Sequence, residues 1–120
     1  MPVRIVVLDA EPVVRSVVTG ILERGGYVAE PVESFEAAAE IVATAPPDLL
    51  LTNVYLPGIT GREAMRLLKG ICPALPVLMV SGLPDEDVIE EWVGTEGFDT
   101  FPKPFKPEEL LDKVRVMLAR

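Results

Sequence analysis

The sequence predicts an α/β domain in which five strand–helix units build a doubly wound parallel sheet. Short apolar runs alternate with segments of helical periodicity, and turn or helix-start residues separate them. A length of 120 residues suits one domain with one core, so residues 1–120 are expected to form a single domain. Right-handed crossovers between successive strands then place helices on both faces of the sheet.

The first two units are predicted from β-branched runs that stop at turn residues. A buried strand is expected over residues 3–8, and Pro12 suits the first turn of the helix that follows. A second strand is expected over residues 27–30, after which Ser34 caps the next helix. The inward-facing residues predicted for these two helices are Val14, Val18, Ile21, Leu22, Phe35, Ala38, Ala39 and Val42.

The apolar run at residues 49–52 has the length of a buried central strand, and it stops at the polar pair Thr52 and Asn53. Pro57 and Gly58 fit the two central positions of a type II turn. Asn53 is therefore expected at the carboxyl end of a central strand, where open α/β sheets build their sites.

The third helix is expected over residues 61–70, and Thr60 with Glu63 gives a capping box at its start. The residues predicted to face the core from this helix are Ala64, Leu67, Leu68 and Ile71.

The remaining units follow the same alternation. The fourth strand, residues 76–80, ends at Ser81, and a shorter, more acidic helix is expected over 84–94. A brief strand around residues 100–101 precedes a last helix that begins at Pro107. The core residues predicted for this last helix are Leu110, Leu111, Val114, Met117 and Leu118.

Composition excludes several kinds of function. The net charge of −8 opposes contact with nucleic-acid phosphates, and the sequence has no basic run and no histidine. No apolar run approaches the length of a membrane span, and no targeting segment is recognised, so a cytoplasmic location is expected. Cys72 is the only cysteine, and it is interpreted as an ordinary packing residue.

Polar residues follow four of the predicted strands at their carboxyl ends. They are Asp9 with Glu11, Thr52 with Asn53, Ser81, and Lys103. Because the carboxyl ends of parallel strands meet at one edge of a sheet, these residues predict a small polar site there. Any single one of these residues is explained equally well by the exposure of loops to water, which favours polar side chains at strand ends. The glycine-rich motifs that hold nucleotide phosphates are absent.

At these residues the chain resembles, along its whole length, the response-regulator receiver domain of bacterial two-component signalling. The matching segments are residues 7–12, residues 48–61, residues 76–82 and the Lys-Pro-Phe triplet at 103–105. The resemblance implies a flavodoxin-like sheet with strand order 2-1-3-4-5. It also implies an acidic pair that helps hold Mg2+, an acceptor aspartate, and a hydroxyl and a lysine that contact the phosphoryl group.

Carried over residue by residue, the resemblance assigns the first acid to Asp9, the hydroxyl to Ser81 and the lysine to Lys103. The acceptor position holds Asn53, and the second acid of the pair is replaced by Ala10. A carboxamide is a poor nucleophile, so Asn53 is not expected to be phosphorylated.

Loss of a carboxylate at Ala10 weakens the magnesium site, so no cofactor is expected beyond weak Mg2+ binding at Asp9 and Glu11. Glu11 either substitutes in part as a metal ligand or is only an acid near a helix start. We expect Asn53 to hydrogen-bond Lys103 or Ser81. Phe101 is either a displaced switch aromatic or a core residue, since it lies two residues before Lys103 instead of the usual three.

The sequence thus predicts an atypical receiver, not an enzyme, that acts as an interaction module. Its expected partner is a histidine kinase, an effector domain or a second copy. The expected contact face consists of the predicted fourth helix, the fifth strand and the last helix, and Trp92 lies in the fourth helix. A conventional Mg2+-dependent phospho-accepting receiver, with Asn53 engineered or deamidated, is the first alternative. A regulatory domain that binds a small ligand at the same edge is the second.

Overall fold

The computed structural model describes residues 2–53, 55–56, 58–81, 99–102 and 106–119 of the chain. The elements are β1 (Arg4–Leu8), α1 (Pro12–Arg24), β2 (Val28–Val32), α2 (Phe35–Thr44), β3 (Leu49–Asn53), β4 (Tyr55–Leu56), β5 (Ile59–Thr60), α3 (Gly61–Ile71), β6 (Val77–Ser81), β7 (Asp99–Pro102) and α4 (Pro107–Leu118). The helix predicted over 84–94 lies outside the described residues. None of the described helices is long and apolar enough to cross a membrane.

Five strands form one parallel sheet in the order β2-β1-β3-β6-β7. This order confirms the 2-1-3-4-5 prediction for the five main strands. The strand β3 lies at the centre, so its side chains are covered on both faces of the sheet and its first four residues are buried.

Two clusters of buried side chains lie on opposite faces of the sheet. Val6, Leu8 and Leu50 pack with residues of α2 and α3 on one face. Ile5 and Leu51 pack with residues of α1 and α4 on the other face. The alternation along β1 and β3 follows from the two-residue period of a strand, and it confirms the doubly wound arrangement.

The predicted inward faces of α1, α2 and α4 are confirmed. Val18, Ile21 and Leu22 of α1 are buried, and Ala38 and Val42 of α2 are fully or almost fully buried. In α4, Leu110, Val114 and Met117 are buried. The other predicted core residues of these helices pack against the clusters as partly buried side chains: Val14, Phe35, Ala39, Leu111 and Leu118.

The predicted face of α3 is half wrong. Ala64 and Leu68 are fully buried as predicted, but Leu67 and Ile71 are 49% and 47% exposed, and Met65 is fully buried instead. Successive helical residues are about 100° apart, so the buried arc holds positions 64, 65 and 68. Leu67 and Ile71 fall beyond the edge of that arc, and a hydrophobic residue there remains half in solvent.

The segment after β3 contains a short hairpin that the sequence did not predict. Strands β4 and β5 pair antiparallel, with Leu56 opposite Ile59 and Tyr55 opposite Thr60. Gly58 has φ of 78°, as the predicted turn requires at its second central position. Pro57 and the side chain of Thr60 lie outside the described part, so the capping box with Glu63 stays a prediction.

The predicted sequence signals for the start and end of α1 and for the start of α2 are confirmed. The helix α1 begins at Pro12 and is followed by Gly25 and Gly26, and Gly26 has φ of 92°. The Ser34 hydroxyl accepts a hydrogen bond of 3.2 Å from the Ala37 amide at the start of α2. The strand β2 begins one residue later than predicted and continues to Val32.

The amino end of β1 is tied to its neighbours by Arg4. The guanidinium donates to both carboxylate oxygens of Glu30, at 2.6 and 3.1 Å, and the backbone amide donates to Asp48 at 2.8 Å. The hydrogen bond to Glu30 raises the pKa of Arg4 above its ordinary value. This charged cluster lies at the opposite end of the strands from the predicted site.

Candidate functional site

The candidate site lies at the rim, meaning the edge of the sheet formed by the carboxyl ends of its parallel strands. Leu8 of β1 pairs with Thr52 of β3, so Asp9 and Asn53 are the residues that follow this pair in the two neighbouring segments. Asn53 in turn pairs with Val80, the residue before Ser81. The structure therefore brings three of the predicted site positions, residues 9, 53 and 81, to the same edge.

Asp9 is 5% exposed, and its backbone amide, its backbone carbonyl and its Oδ1 each make a hydrogen bond within the chain. Its Oδ1 accepts a hydrogen bond of 2.9 Å from the backbone amide of Glu11, which is a local turn closed by an aspartate side chain. Its own backbone amide donates to the carbonyl of Val32 at 3.2 Å. Its carbonyl accepts from Arg15 Nη1 at 2.8 Å.

Ala10 and Glu11 complete the turn between β1 and α1. Ala10 is half-buried and carries no donor oxygen in its side chain, while Glu11 is exposed. Glu11 occupies the N-cap position of α1, and its side chain makes no capping hydrogen bond. Both interpretations of Glu11, a partial metal ligand and an acid near a helix start, stay predictions.

Thr52 and Asn53 end β3 with different surroundings. Thr52 is fully buried, and its Oγ1 donates a hydrogen bond of 3.0 Å to the backbone carbonyl of Asn53. Asn53 is half-buried at the end of the strand. Because side chains alternate along a strand, Thr52 points to the face of Leu50 and Asn53 to the face of Leu51. This pleat separates the Thr52 hydroxyl from the side chain of Asn53, which holds the position equivalent to the phosphoacceptor.

Other predicted site residues lie partly or wholly outside the described residues. Lys103 follows Pro102, the last residue of β7, and it is not described, nor is Trp92. The backbone of Phe101 pairs with Val80 in the sheet, and Ser81 pairs with Pro102. The side chains of Ser81 and Phe101 are not described, so their roles and the expected hydrogen bond of Asn53 to Lys103 or Ser81 stay predictions.

The oxygen atoms that the described side chains offer at the rim are poorly suited to bind Mg2+. This ion prefers octahedral oxygen ligands, usually with one or two carboxylates among them. One oxygen of Asp9 already accepts from a backbone amide, Ala10 supplies no side-chain ligand, and Asn53 offers only a neutral amide oxygen. Within the described ranges, no group of three His, Cys, Asp or Glu residues is placed to hold a metal ion.

Arg15 is a rim contact that sequence reasoning missed. An arginine on the first turns of a surface helix is ordinary, and nothing in its spacing from Asp9 shows that its guanidinium turns back toward the sheet. Arg15 also lines a groove of about 450 Å³ between α1 and β2, together with Ser16, Thr19 and Pro31. Neither Asp9 nor Asn53 lines that groove.

Comparison with known proteins gives one consistent result. The family model described as the response regulator receiver domain matches residues 5–115. The response regulator MprA of Mycolicibacterium vanbaalenii is 34% identical, and that of Mycobacterium tuberculosis strain H37Rv is 35% identical. Each alignment covers 100% of this chain and 52% of the relative. The chain thus spans about half the length of these curated relatives.

Solved structures show the same architecture. The receiver domain of NtrX from Brucella abortus superposes with a TM-score of 0.89 at 26% identity, covering 96% of this chain and 98% of that one. A CheY-like receiver domain protein from Methanospirillum hungatei JF-1 superposes with a TM-score of 0.90 at 23% identity, covering 99% and 95%. The second likeness supports the fold alone.

Proposed function

Since this chain belongs to the response-regulator receiver domain family of two-component signalling, we propose that it is an atypical receiver that works by protein contact without phosphorylation at Asn53. The observation that carries the proposal is the position of Asn53. It ends the central strand β3, one position past the last pair that joins β3 to β1, and the buried Asp9 occupies the corresponding position after β1.

The chemistry of the side chain at position 53 decides whether a phosphoryl group can be accepted. An acyl phosphate forms when an anionic carboxylate oxygen attacks phosphorus. The oxygen of a carboxamide is neutral, and its lone pair is delocalised toward nitrogen, so attack from Asn53 is strongly disfavoured. Thr52 is no substitute, because its hydroxyl is buried on the other side of the sheet and donates to the Asn53 carbonyl.

The charge at the rim also differs from that of a cluster of carboxylates. Carboxylates placed close together repel one another, and a bound cation relieves that repulsion. Here Ala10 and Asn53 are neutral, and the Oδ1 of Asp9 is satisfied by the Glu11 amide. We infer that the rim holds its shape without Mg2+, with Asn53 bonded to Lys103 or Ser81.

A receiver fixed in one state transmits information through the surfaces it presents. The proposed contact face consists of the helix predicted over 84–94, β7 and α4, and the proposed partner is a histidine kinase, an effector domain or a second copy. In α4, one of the described elements, Val116 is a hydrophobic side chain that is 57% exposed. No reaction of the domain's own is proposed.

Thermal unfolding with and without Mg2+ plus beryllofluoride, a mimic of aspartyl phosphate, tests the proposal. The matched control is the double variant Ala10→Asp/Asn53→Asp, which restores two carboxylates beside Asp9. We expect the melting temperature of the natural sequence to stay unchanged and that of the double variant to rise, because ligand binding to the folded state stabilises it. A rise in the natural sequence equal to that in the double variant would overturn the proposal.

A further inference from the structure

Three hydrogen bonds of Asp9, made by its backbone amide, its Oδ1 and its backbone carbonyl, hold the turn between β1 and α1. Its amide donates to the Val32 carbonyl of β2, its Oδ1 accepts from the Glu11 amide, and its carbonyl accepts from Arg15. The first two bonds are short-range or backbone contacts that many turns contain. The third comes from a charged side chain six residues further along the chain.

We propose that Arg15 is a positioning residue for the rim, which fixes the β1–α1 turn through the Asp9 carbonyl and so keeps the Asp9 carboxylate beside residue 53. This inference rests on the proposed function, in which no cation performs that task. The guanidinium of Arg15 on α1 would then keep the Asp9 carboxylate in place, a structural task that a bound metal ion would otherwise perform.

The geometry favours a positioning role because both ends of the Arg15 contact are fixed. The Arg15 amide donates to the Glu11 carbonyl at 3.0 Å, which anchors its backbone in the first turn of α1. The Asp9 carbonyl lies past the last pair between β1 and β3, Leu8 with Thr52. A charged donor at 2.8 Å satisfies this carbonyl, and hydrogen bonds with one charged partner are stronger than neutral ones.

Burial strengthens the argument. Asp9 is 5% exposed, and Arg15 is half-buried against the turn, so water has restricted access to replace the bond. A backbone carbonyl left without a partner in such surroundings is costly. If the Arg15 contact is lost, the Asp9 carbonyl loses this restraint although the Asp9 amide stays bonded to Val32, and the bond from the Glu11 amide to Oδ1 is expected to open more often.

Amide hydrogen exchange measured by NMR on the natural sequence and its variants tests the inference. In Arg15→Ala we expect the Glu11 amide to exchange about tenfold faster, since a charge-assisted bond that supports it is gone. Arg15→Lys is expected to restore part of the protection, because an ammonium can still donate to the Asp9 carbonyl. Arg15→Gln, which keeps an aliphatic stem and a polar end without the charge, provides a second variant if the alanine variant folds poorly.

The chain supplies a matched control on the same helix. Arg24 also donates to a backbone carbonyl, that of Gly20 at 3.2 Å, at the end of α1 away from the rim. Arg24→Ala is expected to leave the Glu11 amide unchanged. The Leu50 amide, bonded to the Pro76 carbonyl at 2.9 Å, reports on global unfolding.

Two results would overturn the inference. One is unchanged exchange at Glu11 in Arg15→Ala. The other is acceleration that is matched in Arg24→Ala or shared by Leu50, because the effect would then be general. Phosphorylation of the natural sequence would overturn the proposed function, whereas the exchange rates are measured without a phosphodonor or Mg2+, so the two failures are distinguishable.

Discussion

Asp9 and Asn53 each occupy the position that follows Leu8 and Thr52, the last pair that joins β1 to β3. One of these residues is an acid whose Oδ1 is already bonded to the Glu11 amide, and the other is neutral. A receiver rim that depends on a cation needs several carboxylates at this place. The pair found here instead favours a rim maintained by hydrogen bonds within the chain.

Replacing Asp9 tests whether its carboxylate has a structural role. In Asp9→Ala the Glu11 amide loses its acceptor, and we expect a loss of about 1 kcal/mol in the free energy of unfolding. Asp9→Asn keeps an oxygen at the same place and is expected to lose less than half as much. Urea denaturation with and without Mg2+ measures both. A strong dependence of the natural sequence on Mg2+ would contradict this account.

Paired alanine substitutions in α3 test which face of this helix is inside. Met65 is fully buried and Leu67 is 49% exposed. We expect Met65→Ala to lower the free energy of unfolding by about 2–5 kcal/mol, because it leaves a cavity. Leu67→Ala should change it by no more than about 0.5 kcal/mol. If Leu67→Ala were the more harmful substitution in chemical denaturation, the observed face would be wrong.

Two glycines with open space around them separate backbone strain from crowding. An added Cβ meets nothing within 4 Å at Gly26 or at Gly70. Gly26 has φ of 92°, so we expect Gly26→Ala to destabilise the fold by about 1–2 kcal/mol. Gly70 lies in α3, and Gly70→Ala is expected to stabilise it by about 0.5 kcal/mol. Thermal unfolding decides, and a shift of the same sign in both variants would contradict the argument.

The sequence predicts the sheet and most of the core because the relevant signals are local. An apolar run between turn residues marks β3, and Ser34 or Pro12 marks a helix start without knowledge of the rest of the fold. The position of Asn53 follows directly from the length of the apolar run. Right-handed crossovers then bring the carboxyl ends of the strands to one edge.

The features that the sequence did not predict depend on tertiary packing. Met65 and Leu67 are both apolar, and the direction from which β3 and β6 approach α3 decides which of them is covered. The hairpin of β4 and β5 has two-residue strands that are too short for a periodic pattern. The Arg15 contact joins a helix side chain to a backbone carbonyl, and backbone acceptors leave no signal in the sequence.

The central claim is that the residue at the end of β3 cannot accept a phosphoryl group, and intact-protein mass spectrometry after incubation with acetyl phosphate and Mg2+ tests it most directly. The Ala10→Asp/Asn53→Asp variant, treated in parallel, shows whether the conditions support transfer to this fold. We predict that the double variant gains the mass of one phosphoryl group and that the natural sequence gains none. Stoichiometric phosphorylation of the natural sequence would contradict the account.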